Sequence, residues 1–317
     1  MSRIRVVFFG TAELAAVSLN RLAAEPWAAI LGVVTQPDQP RGRDLRLQPT
    51  PVKAAALALG LPVQQPTRCR DEGFLRDLRE LAPDVVLVVA YGQILPAALL
   101  AIPPQGCVNV HTSLLPRHRG AAPIQWAILA GDRETGVTLM KMDVGLDTGD
   151  LLSSVVTRIE PDDNAATLHD RLADLGAALL VESLPRYVRG EMTPRPQPAE
   201  GATYARKISK DDGWVNWAKP AEEIGRRLRA FTPWPGAFTW HTDAAGLRRR
   251  LKLWRATPVA EVTGPAGQIV EAGDGRLVVA CGTGALEVSE LQREGGRRLP
   301  VAEFLAGGLL RPGDRLD

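Results

Sequence analysis

Asn109 and His111 are separated by a single residue in the run Cys107-Val108-Asn109-Val110-His111. Small apolar residues alternate there with polar ones, as in a β-strand. Successive strand side chains point to opposite faces, so the amide and the imidazole share one face. A carboxylate, Asp147, follows 36 residues after the histidine, in Asp143-Val144-Gly145-Leu146-Asp147-Thr148-Gly149-Asp150. That stretch has neither helical nor strand periodicity and reads as a functional loop. Amide, imidazole and carboxylate are the groups that acyl transfer needs. A neutral amine attacking a carbonyl creates an oxyanion and an ammonium proton to shed. A side-chain amide can donate to the oxyanion, where losing one donor costs about a hundred- to a thousandfold in rate. Imidazole, with a reference pKa of about 6.5, takes or relays the proton near neutrality. A carboxylate beside it fixes the tautomer and supports the charged form.

Each part alone has a plainer reading, a satisfied polar pair on a strand or an acidic turn. Their surroundings favour a site. Ser113-Leu114-Leu115-Pro116 puts apolar side chains and a rigid proline directly after the strand. Arg117-His118-Arg119-Gly120-Ala121-Ala122-Pro123 is too rich in Gly, Pro and Arg to be core. A strand end followed by such a loop is where open α/β sheets keep their ligands.

Asn109, His111, the Ser113–Pro116 run, Arg119-Gly120-Ala121-Ala122-Pro123-Ile124-Gln125-Trp126 and the Met142–Asp150 turn together resemble the signature of the folate-dependent formyltransferases. The likeness is closest to those that act on methionyl-tRNA. It implies that Asn109, His111 and Asp147 are the catalytic trio. It implies that Ser113, Leu114, Leu115 and Pro116 contact a 10-formyltetrahydrofolate donor, that Tyr91, Gly92, Ile94 and Leu95 line the pterin pocket, and that initiator methionyl-tRNA is the acceptor. Arg43, with Arg41 and Arg46 beside it, occupies the place of a basic loop that meets the tRNA acceptor end in that family. The chain departs from the usual pattern at Ala12, Leu14, Thr112 and His118. The alternatives are an N-formyltransferase acting on a sugar nucleotide or another small amine, and a non-catalytic RNA-binding protein. A small acceptor needs neither a second domain nor the Arg41–Arg46 loop, and an intact trio argues against a silent binder.

Composition sets the bounds. At 317 residues, 45% hydrophobic and 23% charged, the chain is an ordinary globular protein with two domains as the default. It contains no run of 18 apolar residues, and Arg3 enters a strand without a leader-like stretch, so a cytoplasmic protein with no membrane segment is expected, acting as a monomer. Three scattered cysteines, Cys69, Cys107 and Cys281, show no metal-ligand spacing, so neither a metal nor a disulfide is expected. From residue 209 onward 16 Lys and Arg stand against 14 Asp and Glu, so any RNA contact rests on local clusters.

The elements that must carry the site follow. Arg3–Phe9 is a strand, Ala12–Ala24 a helix, and Ile30–Thr35 a second strand, opening a parallel sheet. Only Gly10 stands where a dinucleotide fingerprint needs three glycines, so nucleotide binding is not supported. Residues 36–46 read as a surface loop, Thr50 caps a helix begun by Pro51, and Asp84–Ala90 is a buried strand at the sheet centre. Helices are expected at 72–81, 122–130 and 164–188, and strands at 62–64, 135–142 and 151–159. Residues 1–189 form an open, mostly parallel Rossmann-like α/β domain, 190–206 a Pro-rich linker, and 207–317 a smaller domain. The smaller domain carries a helix at 220–230 and short strands near 251–255, 268–271, 277–280 and 285–291 separated by Gly-rich turns, a small β-barrel pattern that the resemblance makes OB-like. Arg248, Arg249 and Arg250, with Arg297 and Arg298, are candidate phosphate contacts there.

Overall fold

The computed structural model describes residues 3–41, 46–243, 246–260 and 262–317. Two compact units emerge: residues 1–123, 134–158 and 169–205 form the first, and 124–133, 159–168 and 206–317 the second.

In chain order the first fifteen elements are β1 (Ile4–Gly10), α1 (Glu13–Ala23), β2 (Ala28–Val34), β3 (Gln39–Arg41), β4 (Arg46–Gln48), α2 (Pro51–Ala58), β5 (Val63–Gln64), α3 (Glu72–Leu81), β6 (Val85–Val89), α4 (Ala97–Leu100), β7 (Cys107–His111), β8 (Arg119–Gly120), α5 (Pro123–Ala130), β9 (Glu134–Lys141) and β10 (Leu151–Arg158). After them come α6 (Ala165–Val188) and β11 (Tyr204–Ala205). Seven strands pair in the order β10-β9-β7-β6-β1-β2-β5. All five residues of β6 are buried, as its unbroken apolar run requires of a central strand covered on both faces. Thr50 does cap α2, accepting from the Lys53 amide at 3.0 Å.

The pairs β1–β2, β1–β6 and β6–β7 are parallel, whereas β9 runs antiparallel to β7 and β10 antiparallel to β9. This reversal decides where the loop that carries Asp147 starts. Lys141, at the end of β9, pairs with Val108 at the beginning of β7, and the Met142 amide donates to the Cys107 carbonyl at 2.8 Å.

Two stretches differ from their sequence reading. Residues 36–46 include a short antiparallel hairpin, β3–β4, pairing Gln39 with Gln48 and Arg41 with Arg46; its turn, with Arg43, lies outside the described residues. The Pro-rich stretch expected to be a connector is tied down: Arg195 and Leu151 exchange backbone hydrogen bonds at 2.7 and 2.9 Å, and β11 lies parallel to β8. Pro removes donors from such a segment but leaves its carbonyls and remaining amides free to pair.

The second unit contains α7 (Ala221–Ala230), β12 (Ala237–Thr242), β13 (Arg248–Val259), β14 (Ile269–Gly273), β15 (Arg276–Ala280), β16 (Ala285–Arg293), β17 (Arg298–Pro300) and α8 (Val301–Leu305). Its sheet has the order β12-β13-β16-β15-β14, with β17 added to β16. Residues 314–317 join the two edges. Trp240 and Asp317 exchange backbone bonds on β12 at 3.0 and 2.9 Å, and the Asp314 carbonyl accepts from Ile269 on β14 at 2.8 Å. Pairing both edges in this way leaves no long free edge, as in a small barrel. No helix among the described residues is long and apolar enough to cross a membrane.

Candidate active site

The pleat of β7 places Cys107, Asn109 and His111 on one face, and Val108 and Val110, 0% and 3% exposed, on the other. Asn109 is 9% and His111 6% exposed, so both polar groups sit at the boundary of the core rather than in open solvent. From its start beside Cys107 the loop 142–150 runs back along β7 until Asp147 meets His111. The Asp147 Oδ2 atom lies 3.8 Å from His111 Nδ1. It also accepts a hydrogen bond of 2.8 Å from the Gly120 amide.

The histidine is held by two groups with different consequences. Its Nε2 lies 2.9 Å from the carbonyl oxygen of His118. A carbonyl only accepts, so Nε2 carries the proton and the neutral ring keeps its lone pair on Nδ1, facing the carboxylate. At 3.8 Å the carboxylate is beyond hydrogen-bond reach but within ion-pair reach. The sequence reading gives Asp147 both the tautomer and the charged form. The structure divides these tasks, with the His118 carbonyl setting the tautomer and Asp147 facing any charge that develops.

Asp147 itself adopts φ 52°, a left-handed conformation that Asp tolerates better than most residues because its short polar side chain bonds locally. Close packing maintains the loop: a Cβ on Gly149 would sit 1.9 Å from the Lys141 carbonyl oxygen. Asp143 Oδ1 accepts from the Gly145 amide at 3.0 Å and the Thr148 hydroxyl at 2.7 Å.

The segment after β7 is a tied turn. Thr138 Oγ1 donates to the Ser113 carbonyl at 2.7 Å and accepts from the Leu115 amide at 3.2 Å. Ser113 spends its hydroxyl on the Arg117 carbonyl at 2.6 Å, and Ser113 and Leu115 are buried, leaving Leu114 and Pro116 partly accessible. The following stretch, whose composition is too rich in Gly, Pro and Arg for core, is exposed at Arg117 and Ala121 but buried or half-buried between them and buried after them. His118 and Ala122 are 6% and 7% exposed, because β8 is pinned to β11.

The loop after β6 also differs from expectation. Tyr91 and Leu95 are 2% and 4% exposed. The tyrosine ring packs edge-on against Phe9 at 5.1 Å, and burial raises its phenol above the usual range. Its carbonyl already accepts from Thr11 Oγ1 at 2.8 Å and Gln36 Nε2 at 3.0 Å. Its carbonyl is thus engaged and its ring packed, whereas its buried hydroxyl has no hydrogen-bond partner among the described residues. Gly92, at φ 86°, turns the chain here, and Ile94 stands 86% exposed. Val144 and Leu146, on the Asp147 loop, are likewise 76% and 58% exposed. The sequence reading passed over both, although apolar side chains in an Asp/Gly turn are a signal of a covered surface.

Of the arginine candidates, Arg41 and Arg46 are backbone partners in the β3–β4 register. Arg248 and Arg250 share a face of β13: their guanidinium carbons lie 4.8 Å over Trp240 and 3.8 Å over Phe238. Arg249 belongs to the opposite face, near Asp243 Oδ2 at 3.5 Å, since three consecutive strand residues cannot share one side.

A formyl transferase profile matches residues 2–184 and its C-terminal-domain profile matches 207–309. The chain belongs to the formyl transferase family. Its relatives within the family include the methionyl-tRNA formyltransferase of Citrifermentans bemidjiense, 47% identical over 316 residues that span 100% of this chain and 97% of the relative. That of Myxococcus xanthus is 50% identical over 315 residues, 99% of this chain and 98% of the relative. Among solved structures, the sugar 3N-formyl transferase WlaRD aligns with TM-score 0.66 at 18% identity, covering 91% of this chain and 98% of its own. HypX from Aquifex aeolicus in complex with tetrahydrofolic acid aligns with TM-score 0.62 at 18% identity, over 96% of this chain. The chain spans about half of HypX, 47% of its length. At such identities the likeness is one of fold.

Proposed function

We propose that the protein transfers the formyl group of 10-formyltetrahydrofolate to the α-amino group of methionine esterified to initiator tRNA. The observation that carries this reading is the approach of Asp147 to His111 beside Asn109, on a chain related over its whole length to methionyl-tRNA formyltransferases.

In this reading the methionyl amine attacks the formyl carbon. The amide of Asn109 donates to the oxygen as it becomes negative. His111 Nδ1, the nitrogen left basic by the His118 carbonyl, takes the ammonium proton, and the resulting imidazolium faces the Asp147 carboxylate. Collapse of the tetrahedral centre breaks the bond to N10 of the folate, which receives the proton that His111 took from the amine. The products are formylmethionyl-tRNA and tetrahydrofolate. In this reading the donor lies against Leu114, Pro116 and Gly92, and the exposed apolar side chains of Ile94, Val144 and Leu146 are the candidates to cover its flat ring.

A formylation assay comparing charged initiator tRNA, charged elongator tRNA and an amino-sugar nucleotide tests the acceptor. Initiator tRNA should be preferred over both by at least an order of magnitude in kcat/KM, and preference for the sugar nucleotide would reverse the reading.

A further inference from the structure

We infer that Gln197, in the Pro-rich segment before the second unit, is a positioning residue that sets the catalytic carboxylate in place. The inference rests on the role proposed above for Asp147. Gln197 Nε2 donates to the Asp147 carbonyl at 2.8 Å and to the Gly149 carbonyl at 2.7 Å. Its Oε1 accepts from Arg119 Nε at 3.1 Å and Nη2 at 2.7 Å. One amide thereby ties the backbone on both sides of Thr148 to the residue just before Gly120, whose amide holds the Asp147 side chain.

The same segment reaches the histidine. Thr203 Oγ1 accepts from the His118 amide at 2.8 Å and the Thr203 carbonyl from the Arg119 amide at 2.9 Å, which fixes the peptide whose carbonyl receives His111 Nε2. Gly120, at φ 116°, permits this approach, since a Cβ there would lie 2.6 Å from the Ala205 carbonyl oxygen. Residues 197–205 thus brace both partners of the catalytic pair. A left-handed aspartate persists only where its surroundings over-determine it, and the two donors of Gln197 are the groups placed to do so. A Glu at this position would keep the acceptor for Arg119 but set a carboxylate oxygen against two carbonyls, so it isolates the donor role.

The test is steady-state kinetics on the full chain with methionyl-tRNA and 10-formyltetrahydrofolate, using Gln197→Ala, Gln197→Glu, Asp147→Asn and the double variant Asp147→Asn/Gln197→Ala. Both Gln197 variants should lose about tenfold to a hundredfold in kcat, the scale of a reacting group displaced by about 1 Å, with both KM values within about twofold of the parent. In the Asp147→Asn background the Gln197→Ala change should cost less than about twofold, because a residue acting through Asp147 has nothing left to position. A multiplicative loss, a rise in donor KM with kcat preserved, or normal turnover of Gln197→Glu overturns the inference. Should Gln197→Ala fail to fold, the isosteric Gln197→Glu decides alone. Normal turnover of Asp147→Asn would instead refute the trio, whereas an impaired Asp147→Asn beside unimpaired Gln197 variants would refute only the role of Gln197.

Discussion

In the proposed reaction the three polar side chains on and around β7 have unequal tasks, and replacing each should leave a different trace. Asn109→Ala removes a donor aimed at developing charge and should lower kcat by about a hundred- to a thousandfold. His111→Ala removes the proton acceptor, expected to cost about a hundred- to ten-thousandfold. Asp147→Asn keeps the volume and the tolerance of left-handed backbone but removes the charge facing the imidazole, so its loss should also fall on kcat. Rapid-quench single-turnover formylation, with thermal unfolding as the folding control, measures all three; near-normal turnover of His111→Ala or Asp147→Asn would refute the assigned roles. The positions of these residues are legible in the sequence. What holds them is not. The His118 carbonyl, the Gly120 amide and the Gln197 side chain act through backbone groups or across long stretches of chain, and no residue-type pattern marks such contacts.

At the scale of elements, the readable parts are those with strong local signals. The apolar period and polar flanks of α3 give its bounds, and Thr50-Pro51 gives the start of α2. The antiparallel direction of β9 depends on tertiary pairing, and so the return path of the Asp147 loop could not be read in advance. β12 was missed because its pattern is inverted: Thr239 and His241 are buried while Phe238 and Trp240 face outward under cations. The Arg206–Asp212 pair, beside the 3-10 turn at Asp211–Gly213, illustrates an electrostatic consequence at this scale. Arg206 Nη1 donates to Asp212 Oδ2 at 2.9 Å and the Ser209 amide does so at 2.7 Å, and the guanidinium chiefly holds the Asp212 carboxyl well below the usual carboxylate range. Such a group stabilises the fold fully above the unfolded-chain value of about 3.9 and loses that contribution as pH falls through its lower folded value. D212N should therefore lower the urea midpoint of the second unit at pH 7, and its difference from the parent should hold down to about pH 4 and then shrink as the pH falls towards the lower folded value. Tryptophan fluorescence reads this unit well, because Trp126, Trp214, Trp217, Trp234, Trp240 and Trp254 all belong to it. No midpoint gap at pH 7, or a gap that does not shrink as the pH is taken below about 3, would mean that ionisation of Asp212 contributes nothing measurable.

For the molecule as a whole, a net charge of +2 gives no general attraction for RNA, so affinity for a tRNA must come from places where cations are gathered and held. The outer face of β12 and β13 is such a place. Arg248 lies over Trp240 and Arg250 over Phe238, while Lys252 and Arg298 lie 5.7 and 4.9 Å over Trp254. An aromatic beneath a guanidinium orients its planar fork without neutralising it, so Arg248, Arg250 and Lys252 can meet phosphates, unlike Arg298, which is paired with Glu290, and Arg276, which is shared between Glu271 and Glu287. The double variant Arg248→Ala/Arg250→Ala should weaken tRNA binding for initiator and elongator alike. Because each lost phosphate contact removes about 0.9 from the slope of log affinity against log salt, the slope should fall by about two, with the KM for the folate donor unchanged. Arg276→Ala, made as a comparison, should leave the slope as it is. Equal slopes for the Arg248/Arg250 variant and the parent would show that this face does not meet the nucleic acid, and a selective loss for initiator tRNA would show that it reads structure beyond the phosphates.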